Sequence, residues 1–122
     1  MNTNPVGWFE IYVQDLDRAK RFYESVFDVQ LSKLDDAGAM WAFPGNNEKY
    51  GSPGALVRFP GMSSGGNSVL VYFMCDDCAV AAAKAASSGG RIEKEKFSIG
   101  QYGFISLVYD SEGNMIGLHS MK

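Results

Sequence analysis

The chain has 122 residues, 46% of them hydrophobic and 20% charged, which suits one domain with a real core and does not suit a disordered segment. A formal net charge of −3, with no dense run of Lys and Arg, argues against nucleic acid as a partner, because that binding depends on clustered cations. No apolar run approaches the roughly 20 residues that span a bilayer, so no membrane partner is expected.

The polar opening "MNTNPVG" lacks the apolar stretch of a secretory signal, and a cytoplasmic location is expected. In "WFEIYV", Phe9, Ile11 and Val13 alternate with Trp8, Glu10 and Tyr12, and period two predicts a strand with two unlike faces. Asp15 then reads as an N-cap, and Leu16, Ala19, Phe22, Tyr23 and Val26 follow at helical spacing. Further strands are predicted at about "VQLSKLD", "AMWAF" and "GALVRF", with the turn-rich "PGNNEKYGSPG" between the last two. The Gly- and Ser-rich "PGMSSGGN" suits a flexible link.

The same succession then starts again. Val69, Val71 and Phe73 alternate with Leu70, Tyr72 and Met74, Asp77 reads as a second N-cap, and an Ala-rich helix runs to Gly89 and Gly90. Strands at about "RIEKEKF", "GFISLVYD" and "NMIGLHS" complete the second half. Laying Asp15 on Asp77 puts Trp8 on Leu70, Glu10 on Tyr72 and Ala19 on Ala81. Without a gap, "GALV" at 54–57 falls on "IGLH" at 116–119. Each half reads β-α-β-β-β, with module one at about 6–60, a linker at about 61–67 and module two at about 68–121.

The segments "VQDLDRAKRFYESVFDVQL", "VYFMCDDCAVAAAKAASSGGRI" and "DSEGNMIGLHS" resemble the vicinal oxygen chelate superfamily of glyoxalases, bleomycin-resistance proteins and extradiol dioxygenases. Asp28 stands where that family usually has Gly, and Ser111 where it often has Pro. The resemblance implies an α+β fold of two βαβββ modules, with curved sheets forming an open half-barrel and helices outside. It also implies a homodimer. In metal-dependent members, one ligand from each of four strands holds a divalent ion. The corresponding positions here are Trp8, Leu70, Gly117 and one near Ala55, whose side chains offer no lone pair to a cation. No metal and no cofactor are therefore expected.

Glu10 and His119 each lie two residues beyond an emptied ligand position, and period two keeps them on the cavity face. His119, the single histidine, reads as a wall residue that meets a ligand, an acid–base group, or only a solvated polar group. Glu10 reads as a general base if the cavity is dry, or as a salt-bridged or exposed carboxylate. Trp8, Tyr12, Trp41, Tyr72, Met74 and Phe104 could line an aromatic pocket or simply fill the core. In "SIGQYGFI", Gln101 and Tyr102 could gate a ligand, or form an exposed turn. Cys75 and Cys78 have redox-motif spacing, but Asp76 and Asp77 between them should raise the thiol pKa values.

The leading expectation is a bleomycin-resistance-like protein that binds a small organic molecule in a metal-free cavity. Its expected contacts are Trp8, Glu10, Tyr72, His119 and Tyr102. The alternatives are a glyoxalase-like lyase or isomerase using Glu10 as general base, a metal-dependent dioxygenase, and a non-catalytic dimeric interaction module.

Overall fold

The computed structural model describes residues 4–34, 38–46 and 48–122. Asp35, at the end of the second predicted strand, and Asn47, in the turn-rich segment, lie outside them. Module one comprises β1 (Phe9–Tyr12), α1 (Leu16–Phe27), β2 (Ser32–Lys33), β3 (Met40–Ala42) and β4 (Gly54–Val57). Module two comprises β5 (Tyr72–Met74), α2 (Cys78–Ser87), β6 (Arg91–Ser98), a 3₁₀ turn (Gly100–Tyr102), β7 (Phe104–Tyr109) and β8 (Met115–Ser120). Each module forms a four-stranded sheet, in the orders β1-β4-β3-β2 and β5-β8-β7-β6. In both, the first strand runs parallel to the last, and the other neighbours are antiparallel. This is the repeated βαβββ architecture expected. The pairing Glu10–Ala55 in one sheet becomes Tyr72–Gly117 in the other, as laying Asp15 on Asp77 requires.

Both helices begin where the sequence places them. The Asp15 carboxylate accepts the Arg18 N–H at 3.1 Å, and that of Asp77 accepts the Ala79 N–H at 2.9 Å. Asp28 ends α1 in the left-handed region (φ 52°, ψ 51°), where its N–H reaches the Glu24 carbonyl. That is the position at which the resembling family has Gly. Asp is among the few residues that adopt this conformation at modest cost. α1 buries Ala19, Phe22, Tyr23 and Val26, while α2 buries Cys78, Ala81, Ala82 and Ala85. The small side chains of α2 leave room for the Phe22 and Tyr23 rings in a shared core. Leu56, Val108, Ile116 and Leu118 complete that core from the helix-facing sides of the sheets. Truncating a fully buried side chain of this kind to Ala costs about 2–5 kcal/mol.

Two expectations need correction. The second module's opening strand is shorter than its alternation suggests, because Asn67 takes the place of backbone. Its amide donates to the Met115 carbonyl at 2.8 Å and accepts the Met115 N–H at 3.0 Å, so those groups need no strand partner. The link between modules is also not a loose tether. Gln14 donates to the Met62 carbonyl (2.9 Å), Ser64 Oγ donates to the Tyr12 carbonyl (2.8 Å), and the Gly65 N–H meets Asn114 Oδ1 (2.6 Å).

The turn "DSEGN" between β7 and β8 fastens module two to module one. Asp110 is 3% exposed and accepts from the Tyr23 hydroxyl at 2.6 Å and from the Glu112 and Asn114 N–H groups at 2.8 Å each. Burial raises the Asp110 pKa, opposed by these hydrogen bonds. Burial also pushes the Tyr23 hydroxyl well above its ordinary value, reinforced by the Asp110 charge and the hydrogen bond to it. The covered Glu112 carboxylate takes a two-pronged bond from Arg18 (2.6 and 2.9 Å) and accepts the N–H groups of Gln14 and Asp15 (3.0 Å each). Burial alone would raise its pKa. The Arg18 bond, the two backbone donors and Ser111 outweigh that and bring it down to about 2.

Candidate functional site

Side-chain alternation gives each sheet a helix-facing side and an open side. In the first sheet Ile11 pairs with Leu56 on the helix side, and Glu10 and Tyr12 pair with Ala55 and Val57 on the open side. In the second, Phe73 pairs with Leu118 on the helix side, and Tyr72 and Met74 pair with Gly117 and His119 on the open side. Trp41, opposite Leu56, is on the helix side under the Lys20 ammonium, 3.5 Å from the ring centroid, so it is a packing residue. Phe104 packs against the core too, with the Lys96 ammonium 4.8 Å from its ring centroid.

A glycine makes room for a ring in each sheet, at positions that do not correspond in the repeat, since Gly54 aligns with Ile116 and Gly117 with Ala55. Phe9 rests against Gly54 and Tyr72 against Gly117, and a Cβ at either glycine would overlap the ring. Gly117, an emptied ligand position in the sequence reading, thus makes room for the Tyr72 ring.

A cavity of about 1320 Å³ lies between the modules. Its floor is aromatic: Phe9, Phe27, Phe43 and Phe73. Phe27 stacks on Phe73 with centroids 4.5 Å apart, and Phe43 is 5.5 Å from Phe73. Tyr72, Met74, Ile105 and His119 form a wall. The turn-rich segment supplies a rim that includes Asn46, Lys49, Tyr50 and Ser52. Among the described lining residues, Lys49 is a lone cation and there is no Asp or Glu. An apolar body with a few polar groups is the usual composition of a small-molecule site.

The expected contact residues fall into two groups. Tyr72 and His119 line the cavity. The His119 Nε2 lies 2.6 Å from the Tyr102 carbonyl oxygen, and Tyr102 itself is 65% exposed and outside the cavity lining. Trp8 and Glu10 stand apart from the cavity lining, on the open side of the first sheet, where the indole N–H donates to Glu10 Oε2 at 3.2 Å. His119 therefore meets neither Glu10 nor the Tyr72 hydroxyl. The phenylalanine floor was missed because its residues share the core phase of their strands and helix. A core and a cavity floor are lined alike, and only the space between modules separates them.

Three of the four positions that the resemblance assigns to ligands carry Trp8, Leu70 and Gly117, with the fourth near Ala55, and among the described residues no three His, Cys, Asp or Glu side chains come together. The Cys pair is free, with Cys78 buried. Burial, then the neighbouring Cys78, Asp77 and Asp76, push the Cys75 thiol up to about 11, and its Sγ–H meets the His119 carbonyl at 3.4 Å. The structure makes burial the leading cause, ahead of the two aspartates. A thiol that keeps its proton is a poor nucleophile and a poor ligand.

Residues 6–118 match the family model described as the glyoxalase/bleomycin resistance protein/dioxygenase superfamily. The protein CFP32 of Mycobacterium bovis, which carries a provisional glyoxylase name, is 30% identical over 115 residues. That match covers 91% of this chain and 42% of CFP32, so the chain spans less than half the length of the curated relatives it matches. A glyoxalase/bleomycin resistance protein from Albidiferax ferrireducens superposes with a TM-score of 0.72 at 16% identity, covering 94% of this chain and 98% of that one. TnmS3, an antibiotic binding protein from Streptomyces sp. CB03234, superposes with a TM-score of 0.70 at 24% identity over 98% of both chains. At these identities the two structures establish the shared fold. Among the described residues no helix is long and apolar enough to cross a membrane.

Proposed function

The chain belongs to the glyoxalase/bleomycin resistance protein/dioxygenase superfamily, and on that premise we propose that it binds a small organic molecule, without a metal, in the cavity between its modules. The observation that carries this reading is the cavity of about 1320 Å³ over four phenylalanine rings, with no carboxylate among its described lining residues. The antibiotic-binding relative TnmS3 has the same fold and supports a binding role. Tyr72 covers one side of the ligand, His119 supplies a polar contact, and the rim with Lys49 and Tyr50 closes over it. Trp8 and Glu10 form a second patch beside the cavity.

The lyase or isomerase reading needs Glu10 as base. Its recorded partner is the Trp8 indole, and it is exposed, so binding is the better supported role. A homodimer and a cytoplasmic location accompany this reading. Trp8, 42% exposed on the open face of the first sheet and outside the cavity lining, offers apolar area to a second copy.

Thermal-shift titration with a panel of fused-ring aromatic compounds tests the proposal. A compound at about 100 times its Kd adds about 2.7 kcal/mol of stability. Tyr72→Ala should lose most of that gain. Failure of every compound to stabilise the protein would reject a ligand cavity. One Zn, Ni, Fe or Mn per purified chain would reject the metal-free part.

A further inference from the structure

His119 is the single imidazole of the chain, and its surroundings leave one nitrogen free for a ligand. Nε2 lies 2.6 Å from the Tyr102 carbonyl oxygen. A carbonyl can only accept, so this contact requires the hydrogen on Nε2. In the neutral ring the lone pair is then on Nδ1, which has no hydrogen-bond partner among the described residues.

The tether is built into the backbone. Tyr102 ends a 3₁₀ turn, Gly100–Tyr102, followed at once by Gly103 (φ 104°). The Gly103 N–H returns to the Gly100 carbonyl at 3.2 Å, and the Ile99 N–H reaches the Gly103 carbonyl at 2.9 Å. A Cβ on Gly103 would overlap the Ser120 carbonyl oxygen, so only glycine lets this turn sit against the end of β8, beside His119. On the strand itself, His119 is held between Ile105 and Met74 by the ladders on both sides.

We infer that the Tyr102 carbonyl locks His119 as the Nε2–H tautomer, so that Nδ1 acts as a fixed acceptor selecting flat apolar ligands that carry a hydroxyl or N–H donor. This rests on the cavity reading above and deepens it by naming the ligand class. The aromatic floor takes the flat body, and Nδ1 takes the donor. A ligand presenting only acceptors at that point faces a lone pair and leaves Nδ1 unsatisfied.

The probes are 2-naphthol and 2-methoxynaphthalene, which share a ring system and differ in the donor. One net hydrogen bond corresponds to about a tenfold difference in Kd. Isothermal titration at neutral pH is therefore expected to show 2-naphthol binding about tenfold more tightly than its methyl ether. His119→Phe should bring the two affinities together, and His119→Leu serves if the Phe variant does not fold. Because there is one histidine, long-range ¹⁵N–¹H correlation of untagged protein shows a single ring. It should show hydrogen on Nε2 and a bare Nδ1 that shifts with 2-naphthol and not with the ether. Equal affinities for the two probes, a preference that survives in both variants, or hydrogen on Nδ1 in the free protein would overturn the inference and leave the cavity reading standing. If neither probe binds the wild-type chain, this inference is overturned, and the cavity reading stands or falls on the thermal-shift panel.

Discussion

Replacing Glu112 by Gln tests the seam that joins the two modules. The carboxylate accepts two bonds from Arg18, at 2.6 and 2.9 Å, and the N–H groups of Gln14 and Asp15 at 3.0 Å each. A glutamine keeps one acceptor oxygen and turns its amide N–H₂ toward groups that are themselves donors. Hydrogen bonds to a charged group contribute about 1.5–3 kcal/mol each, but Arg18 is half exposed and regains water, so the net loss should be about 2–3 kcal/mol. For a domain of this size that is a fall in Tm of roughly 6–15 °C. The pH dependence gives an independent check. The folded-state carboxyl titrates at about 2 against an ordinary 4.5, so its contribution is complete above about 4.5 and is lost as pH falls toward 2. Asp110, with its raised pKa, contributes with the opposite sign, but it is present in both proteins and drops out of the comparison. Urea unfolding of wild type and Glu112→Gln between pH 7 and pH 3 should thus show a gap that narrows below pH 4.5. A gap under about 0.5 kcal/mol at pH 7, or one that stays constant on acidification, would refute the account.

Asp28→Gly should stabilise the chain by about 0.5–1 kcal/mol, because φ 52° at the end of α1 costs a glycine nothing sterically; chemical denaturation measures this, and a loss of stability would contradict it. Tyr23→Phe removes the 2.6 Å donor to buried Asp110 and should cost about 1–3 kcal/mol, read from the urea midpoint; a neutral result would mean that water replaces the hydroxyl. Cys75, with its thiol pushed up to about 11, should react with iodoacetamide at pH 8 roughly 100-fold more slowly than free cysteine, and a rate near that of the free amino acid would show the thiol to be accessible and ionised.

Local chemistry in the sequence determined most of the fold. Asp15 and Asp77 announce two helix starts because a short carboxylate can satisfy an orphan N–H wherever the chain places it. Alternation in "FEIY" and the helical spacing of Ala19, Phe22, Tyr23 and Val26 declare which side of each element is buried, since these periods follow from backbone geometry. The match of Asp15 to Asp77 made one half's pairing mirror the other's, so that Glu10–Ala55 answers Tyr72–Gly117, but which strands pair was decided by the fold. The tertiary structure alone decided how the halves meet, because that depends on groups distant in the chain. Asp110, Glu112 and Asn114 look like ordinary turn residues until they reach Tyr23, Arg18 and Tyr12. Phe9, Phe43 and Phe73 read as core until the modules leave a space above them. Tyr102 reads as a gating side chain, yet it is its carbonyl that meets His119, and backbone groups carry no residue-specific mark in a sequence.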